Sequence, residues 1–173
     1  KQDYFFQSYS YLPIMLNSKN SSDDIFILPI NHDYPYRLLL LGDPSQELVD
    51  SYLDKGLCFI AKLNESVVGV VVLLKTHIET FEIMNIAVHE NYQRKGIGEK
   101  LISFAIEEAK KRNAKFVEIA TGNSSLHQLA LYQKIGFSIH SIDKNFFLKN
   151  YKEPIFENKI QCKDRILLRM SLK

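Results

Sequence analysis

Apolar and polar positions along this chain alternate between short strand-like runs and stretches with helical spacing. Strands are expected where apolar and β-branched residues cluster between turn-forming residues. By this criterion the predicted strands are 25–30, 57–63, 67–75, 79–88, 116–121, 137–142 and 166–172. Asn64, Glu65 and Ser66 separate the second of these strands from the third, which predicts a hairpin.

The best-defined helix is predicted over 96–112. Apolar side chains recur there at helical spacing, and charged side chains fill the opposite side. The residues of this helix that we expect in the core are Ile97, Leu101, Ile102, Ala105 and Ile106. Shorter helices are predicted over 35–41, 46–55 and 125–134. This order of strands and helices indicates one α/β (α+β) domain.

The domain is predicted over 25–173 and is preceded by an N-terminal extension, 1–24. The extension is rich in aromatic residues at first and then becomes polar. Near the other end, 143–163 shows no periodicity and is predicted to be a loop. A loop of this length within a domain is a candidate for function.

Composition and charge exclude several classes of protein. Apolar residues make up 46% of the 173-residue chain and charged residues 24%, as in folded globular domains. The net charge is only +2 and both signs are scattered, so we expect no nucleic-acid partner. The longest apolar run, 67–74, is shorter than the roughly 20 residues that span a bilayer, so we expect no membrane association.

Two cysteines, Cys58 and Cys162, occur far apart and without metal-binding spacing. We therefore expect neither a disulfide framework nor a metal site. No secretory signal is visible, and a reducing, cytoplasmic setting is expected. Both cysteines are interpreted as ordinary strand residues, with a catalytic thiol as the alternative.

Glycines and cations are concentrated between the strand 79–88 and the long helix. Residues 93–98 read Gln-Arg-Lys-Gly-Ile-Gly. Glycine lets a backbone approach a ligand closely, and a helix N-terminus attracts anions, so this turn suits a pyrophosphate. A simple tight turn is the alternative. A dinucleotide-binding turn would need GxGxxG and a P-loop would need Gly-Lys followed by Ser or Thr, and neither is present.

Two segments resemble the GNAT superfamily of N-acetyltransferases. The strand end 86–88 and the turn 93–98 fit its coenzyme A motif, and LYQKIGF at 131–137 fits its helix that carries Leu-Tyr and ends in Gly-Phe. The resemblance covers about 25–172 in element order. It implies a mixed, mainly antiparallel sheet flanked by helices, whose central parallel pair splays apart. Acetyl-CoA would bind in the gap as cosubstrate, without a metal.

The resemblance also assigns coenzyme-binding roles to residues of the strand, the turn and a later helix start. They are Ile86, Ala87, Val88, Gln93, Arg94, Lys95, Gly96, Ile97, Gly98, Asn123 and Ser125. The family more often has Asn where this chain has Ser125. Which of Asn123, Ser124 and Ser125 contacts the coenzyme is therefore left open.

Direct attack of a primary amine on the thioester is the reaction that the resemblance implies. Tyr132 matches the family's general acid, and a phenol with a pKa of about 10 can protonate a departing thiolate. Glu82 is the first candidate for the base and Glu79 the second. Strand alternation predicts that Glu82, Met84 and Ile86 share one face. The alternatives are a Tyr132 that only packs and a Glu82 that only faces solvent.

The function that follows is acetyl transfer from acetyl-CoA to a primary amine of a small molecule or peptide. Aromatic and acidic residues in 143–163, with Glu153 or Glu157 for the charge, would suit a cationic acceptor. One rival is a non-catalytic acetyl-CoA sensor or scaffold. Another is an interaction protein that acts through 1–24. A homodimer is left open.

Overall fold

A computed structural model describes residues 24–172, so the predicted extension lies outside the described residues except for Asp24. The strands are β1 Ile25–Ile30, β2 Leu57–Leu63, β3 Ser66–His77, β4 Thr80–Val88, β5 Phe116–Gly122, β6 Ser138–Asp143, β7 Phe156–Glu157, β8 Ile160–Gln161 and β9 Arg165–Ser171. The α-helices are α1 Tyr36–Gly42, α2 Gln46–Leu53, α3 Ile97–Lys111, α4 Leu126–Ile135 and α5 Phe146–Asn150. None of these helices has the length and hydropathy needed to cross a membrane.

Seven strands form one sheet in the order β1-β2-β3-β4-β5-β9-β6, and β7 and β8 form a separate hairpin. Within the described residues, β4 and β5 are the one parallel pair, and all other neighbours are antiparallel. The prediction of a mixed, mainly antiparallel sheet with a central parallel pair is confirmed.

The parallel pair separates before either strand ends. β4 and β5 are last paired at Ile83 and Ile119. Beyond these residues β4 stays paired with β3 as far as Val88, and β5 stays paired with β9 as far as Gly122. The two strand ends therefore diverge, each held by its outer neighbour. The gap between them leaves backbone groups without a strand partner.

A β-bulge in β4 changes which side chains share a face of the sheet. Met84 has no partner on β3, where the register shifts. Ile83 before the bulge and Ile86 after it both pack into the core beneath α3. The prediction that Glu82, Met84 and Ile86 share a face is therefore wrong for Ile86. One inserted residue reverses the alternation of side chains along a strand.

Two apolar cores cover the opposite faces of the sheet. One lies beneath α3, and all five residues predicted for it are buried, which confirms that prediction. The other lies beneath α1 and α2, which cover the first four strands. We call this second side the α1/α2 face. Ser45 begins α2 as predicted, since its hydroxyl accepts a hydrogen bond from the Leu48 N–H.

The segment predicted as a loop over 143–163 is ordered as α5 and the β7–β8 hairpin. A five-residue helix and two-residue strands are too short to produce a periodic sequence signal. The hairpin turns at Asn158 and Lys159, both with left-handed backbone. Cys162 follows this hairpin outside any strand, whereas Cys58 lies in β2 as predicted; both are buried.

Candidate active site

The turn 93–98 joins β4 to α3 and leaves the N-terminus of α3 without a side-chain cap. Gly96, the N-cap residue, has a left-handed φ of 79° and no side chain to bond the first-turn N–H groups. These groups lack an acceptor within any α-helix. Arg94, Lys95 and Gly96 are exposed. The helix terminus and its two flanking cations are therefore accessible to an anion.

Both glycines of this turn have free space beside them. A Cβ atom at Gly96 would meet nothing within 4 Å, and one at Gly98 would meet only Val88 Cγ2, at 3.9 Å. Packing within the protein therefore requires neither glycine. Gly96 is suited to its positive φ, and the open space beside Gly98 leaves room for a ligand to approach the backbone.

Backbone groups of β4 point into the gap at alternate residues. The His89 N–H donates to a carbonyl of β3 at 2.9 Å. Alternate residues of an antiparallel strand point to the same side, so Ala87 also faces β3, whereas Ile86 and Val88 face the gap. Gln93 Nε2 donates to the Val88 carbonyl at 3.0 Å. The N–H and C=O groups of Ile86 and the N–H group of Val88 are therefore the groups of β4 that are free to pair with the amides of a ligand.

Asn123 holds the C-terminal part of the chain against the end of β5. Its Oδ1 accepts hydrogen bonds from the N–H groups of Lys163 and Asp164, at 2.7 and 2.9 Å. Its Nδ2 donates to the Gln161 carbonyl at 3.1 Å. This side chain has a clear structural role, and its predicted contact with the coenzyme stays a prediction.

Ser125 precedes α4 and is buried. Its hydroxyl donates to Glu157 Oε2 at 2.5 Å, and Asn158 Nδ2 donates to the Ser124 carbonyl at 2.8 Å. These two hydrogen bonds hold the β7–β8 hairpin against the start of α4. Ser125, like Asn123, stays a predicted coenzyme ligand.

Tyr132 lies on α4 and is only 5% exposed. Its hydroxyl has no hydrogen-bond partner among residues 24–172. Burial raises the pKa of Tyr132 to about 12, and the negative charge of Glu157 adds to this effect. The phenol therefore stays protonated throughout the neutral range. A hydroxyl without a protein partner is available to a ligand.

Glu82 lies on the α1/α2 face, one residue before the last β4–β5 pair. Its carboxylate forms an ion pair with Arg165 of β9. Burial raises the pKa of Glu82, and Arg165 opposes that rise. The other predicted base, Glu79, precedes β4 at the end away from the gap and pairs with Lys115 at 2.7 Å on the surface. Of the two, only Glu82 is near the gap.

Sequence reasoning missed a polar cluster on the α1/α2 face beside the gap. Asn85, buried in β4, donates to the Leu39 carbonyl at 2.9 Å and to the Tyr52 hydroxyl at 2.7 Å. Asp43, just after α1, accepts a 3.0 Å hydrogen bond from the Tyr151 hydroxyl. A polar residue within an apolar strand is a signal for Asn85. No local pattern links Asp43 with Tyr151, since they are 108 positions apart.

Comparison with known proteins agrees with this geometry. The model of the Acetyltransferase (GNAT) family matches residues 27–137. The uncharacterized N-acetyltransferase YvbK of Bacillus subtilis (strain 168) is 55% identical over 141 residues, which are 82% of this chain and 91% of YvbK. The chain therefore belongs to the GNAT family.

Solved structures support the same assignment. A GNAT family acetyltransferase from Elizabethkingia anophelis with acetyl-CoA bound is 51% identical, with a TM-score of 0.84 over 86% of this chain and 98% of that one. An IAA acetyltransferase from Bacillus cereus ATCC 14579 is also 51% identical, with a TM-score of 0.84 over 86% and 99% of the two chains. The protein is an acetyl-CoA-dependent acyltransferase, with acetyl-CoA as its cosubstrate.

We expect Gly98→Ala to separate fold stability from coenzyme binding. Alanine is the better helix former by up to about 1 kcal/mol, and the space beside Gly98 accepts a methyl group, so the Tm without ligand should stay the same or rise. The same methyl group would hinder the pyrophosphate, so the increase in Tm on adding acetyl-CoA should shrink. Thermal unfolding checks both, with the exposed Ser103→Ala on α3 as control. An undiminished increase in Gly98→Ala would contradict the assignment.

Proposed function

We propose that this protein transfers the acetyl group of acetyl-CoA to the primary amine of a small-molecule or peptide acceptor. The observation that carries this proposal is the gap between β4 and β5 next to the uncapped N-terminus of α3, and the unpartnered Tyr132 hydroxyl on α4 is the candidate acid. These groups could bind the anionic coenzyme and protonate the leaving thiolate.

The chain's own groups account for binding of the coenzyme. The first-turn N–H groups of α3 would hold the pyrophosphate, and Arg94 and Lys95 would reach further phosphate oxygens. The backbone of Ile86 and the Val88 N–H would pair with the amides of the pantetheine arm. A strand edge that is otherwise unpaired is thereby satisfied by the ligand.

We infer a direct attack by the acceptor amine. The nitrogen of the neutral amine forms a C–N bond with the thioester carbon, and Glu82 takes the proton that this nitrogen loses, directly or through water. The Ile86 N–H stabilises the negative charge that develops on the carbonyl oxygen. As the C–S bond breaks, Tyr132 gives its proton to the leaving thiolate. Solvent then restores the proton of Tyr132 and takes the one on Glu82.

A screen of amines with acetyl-CoA tests this proposal. Primary amines, polyamines, amino-acid derivatives, aminoglycosides and peptides with free N-termini are incubated with the protein, and mass spectrometry detects the acetylated product. We expect product that depends on both protein and amine in at least one class. If the protein bound acetyl-CoA but acetylated none of them, a sensor of acetyl-CoA would become the better proposal.

Two narrower proposals concern setting and assembly. Cys58 and Cys162 are both free, which suits a reducing, cytoplasmic setting.

The edge strand β6 has all six residues exposed, among them Ile139 and Ile142. An exposed edge with apolar side chains favours pairing with another strand, so a homodimer through β6 is the assembly that we propose.

A further inference from the structure

A series of contacts crosses the gap on the α1/α2 face, and it starts on β4. Asn85 lies beyond the last β4–β5 pair and is bonded to α1 through the Leu39 carbonyl. Gly42, the end of α1, lies against it: a Cβ atom at Gly42 would be 2.5 Å from Asn85 Oδ1. Asp43 follows and is bonded to the Tyr151 hydroxyl.

Tyr151 continues these contacts to β5. Its ring stacks on Phe147, with 5.4 Å between ring centroids. Phe147 Cε2 would be 3.6 Å from a Cβ atom at Gly122, the last residue of β5. Asp43, Tyr151 and Phe147 therefore connect the two separated strand ends. We call these three residues the bridge.

The bridge and the proposed phosphate site lie on opposite sides of the sheet. The phosphate site is at the start of α3, which packs on one face. Asn85, next to the bridge, is bonded to α1 and α2 on the other face. An acetyl group that entered the gap from the α3 side would therefore end near the bridge, and an acceptor approaching from the α1/α2 face would pass Asp43.

Asp43 is a carboxylate that forms no ion pair with any of the described residues. The two glutamates on the neighbouring strands, Glu82 and Glu118, are each paired with an arginine of β9. Oδ1 of Asp43 accepts hydrogen bonds from the Ser45 N–H and from Tyr151, both at 3.0 Å. Its Oδ2 has no partner among residues 24–172. Burial raises the pKa of Asp43, as expected for a carboxyl that lacks a compensating charge.

We propose that Asp43 selects the acceptor, its free carboxylate oxygen binding an ammonium group while the rings of Tyr151 and Phe147 pack against the acceptor's carbon chain. This inference rests on the proposed function, because it names the class of amine that the transfer uses. The reacting amine is neutral when it attacks, so the ammonium held by Asp43 is a second one. The acceptor is therefore a diamine or polyamine-like cation.

Hexane-1,6-diamine and hexylamine test this, because they share one carbon chain and differ by the second ammonium. A hydrogen bond to a charged group raises binding affinity by about 10- to 100-fold. The wild-type kcat/KM for hexane-1,6-diamine should therefore exceed that for hexylamine by about that factor. Asp43→Asn keeps the size and the Oδ1 acceptor but removes the charge. In the Asp43→Asn variant the ratio of the two kcat/KM values should fall close to unity, because the KM for the diamine rises. Asp54→Asn, which changes an exposed carboxylate at the end of α2, should keep the wild-type ratio.

The outcomes separate this inference from the proposed function. A wild type without the preference, or an Asp43→Asn variant that keeps it, would overturn the role of Asp43 while acetyl transfer to amines stood. If neither probe is acetylated, calorimetry with hexane-1,6-diamine in the presence of CoA decides. Binding that Asp43→Asn abolishes supports the inference, and absent or unaffected binding overturns it. A response of the variant's Tm to acetyl-CoA verifies its fold.

Discussion

Tyr132→Phe is expected to lower kcat by about 10²- to 10⁴-fold, the usual range for general acid–base catalysis. The phenylalanine keeps the ring that packs near Phe137 and removes a hydroxyl that bonds to no described residue. The substitution should therefore leave both the Tm and the affinity for acetyl-CoA unchanged. Steady-state kinetics with an acceptor from the screen, together with calorimetry of acetyl-CoA binding, measures the two effects separately.

Tyr34→Phe is the matched control, because its hydroxyl also has no hydrogen-bond partner among the described residues and it packs on the α1/α2 face near β1. Its kcat should equal that of the wild type. A Tyr132→Phe variant that turns over at the wild-type rate would show that Tyr132 takes no part in the reaction, and the proposed coenzyme site would be unaffected.

Since the pKa of Tyr132 is about 12, Tyr132 stays protonated until the pH rises toward that value. A loss of activity well below pH 12 would belong to another group.

Gly96→Asp is expected to abolish the increase in Tm that acetyl-CoA causes in the wild type. A ligand at 100 times its Kd stabilises the native state by about 2.7 kcal/mol, so the wild-type increase is readily measured. An Asp side chain at the start of α3 would repel the pyrophosphate and compete for the same first-turn N–H groups. Asp tolerates a left-handed backbone better than most residues, and nothing in the protein lies beside it, so the variant should fold.

Gly96→Asn is the control for this variant. It has the same size and the same tolerance of a positive φ, but it carries no charge. Its increase in Tm with acetyl-CoA should fall between those of the wild type and Gly96→Asp. A folded Gly96→Asp protein with the full increase would show that the phosphates bind elsewhere.

Local patterns were sufficient for most of the secondary structure. Strands β1 and β2 have the predicted bounds, and α3 buries the predicted side of its surface. The turn that precedes α3 has local signals of its own, namely its glycines and its position between a strand and a helix. These features depend on residues within a few positions of one another, so the sequence carries them directly.

Features that depend on distant residues were decided by the tertiary structure. The bulge at Met84 arises from how β4 pairs with β3, and it reversed the predicted side of Ile86. The order in 143–163 depends on contacts with the end of β5 and with α4. The sequence by itself indicated the fold class, and it marked the turn 93–98 and Tyr132 as candidates for coenzyme binding and proton donation. Only tertiary structure brought Asp43 to Tyr151, because a hydrogen bond between segments so far apart follows from the packing of the whole domain and leaves no periodic trace in either segment.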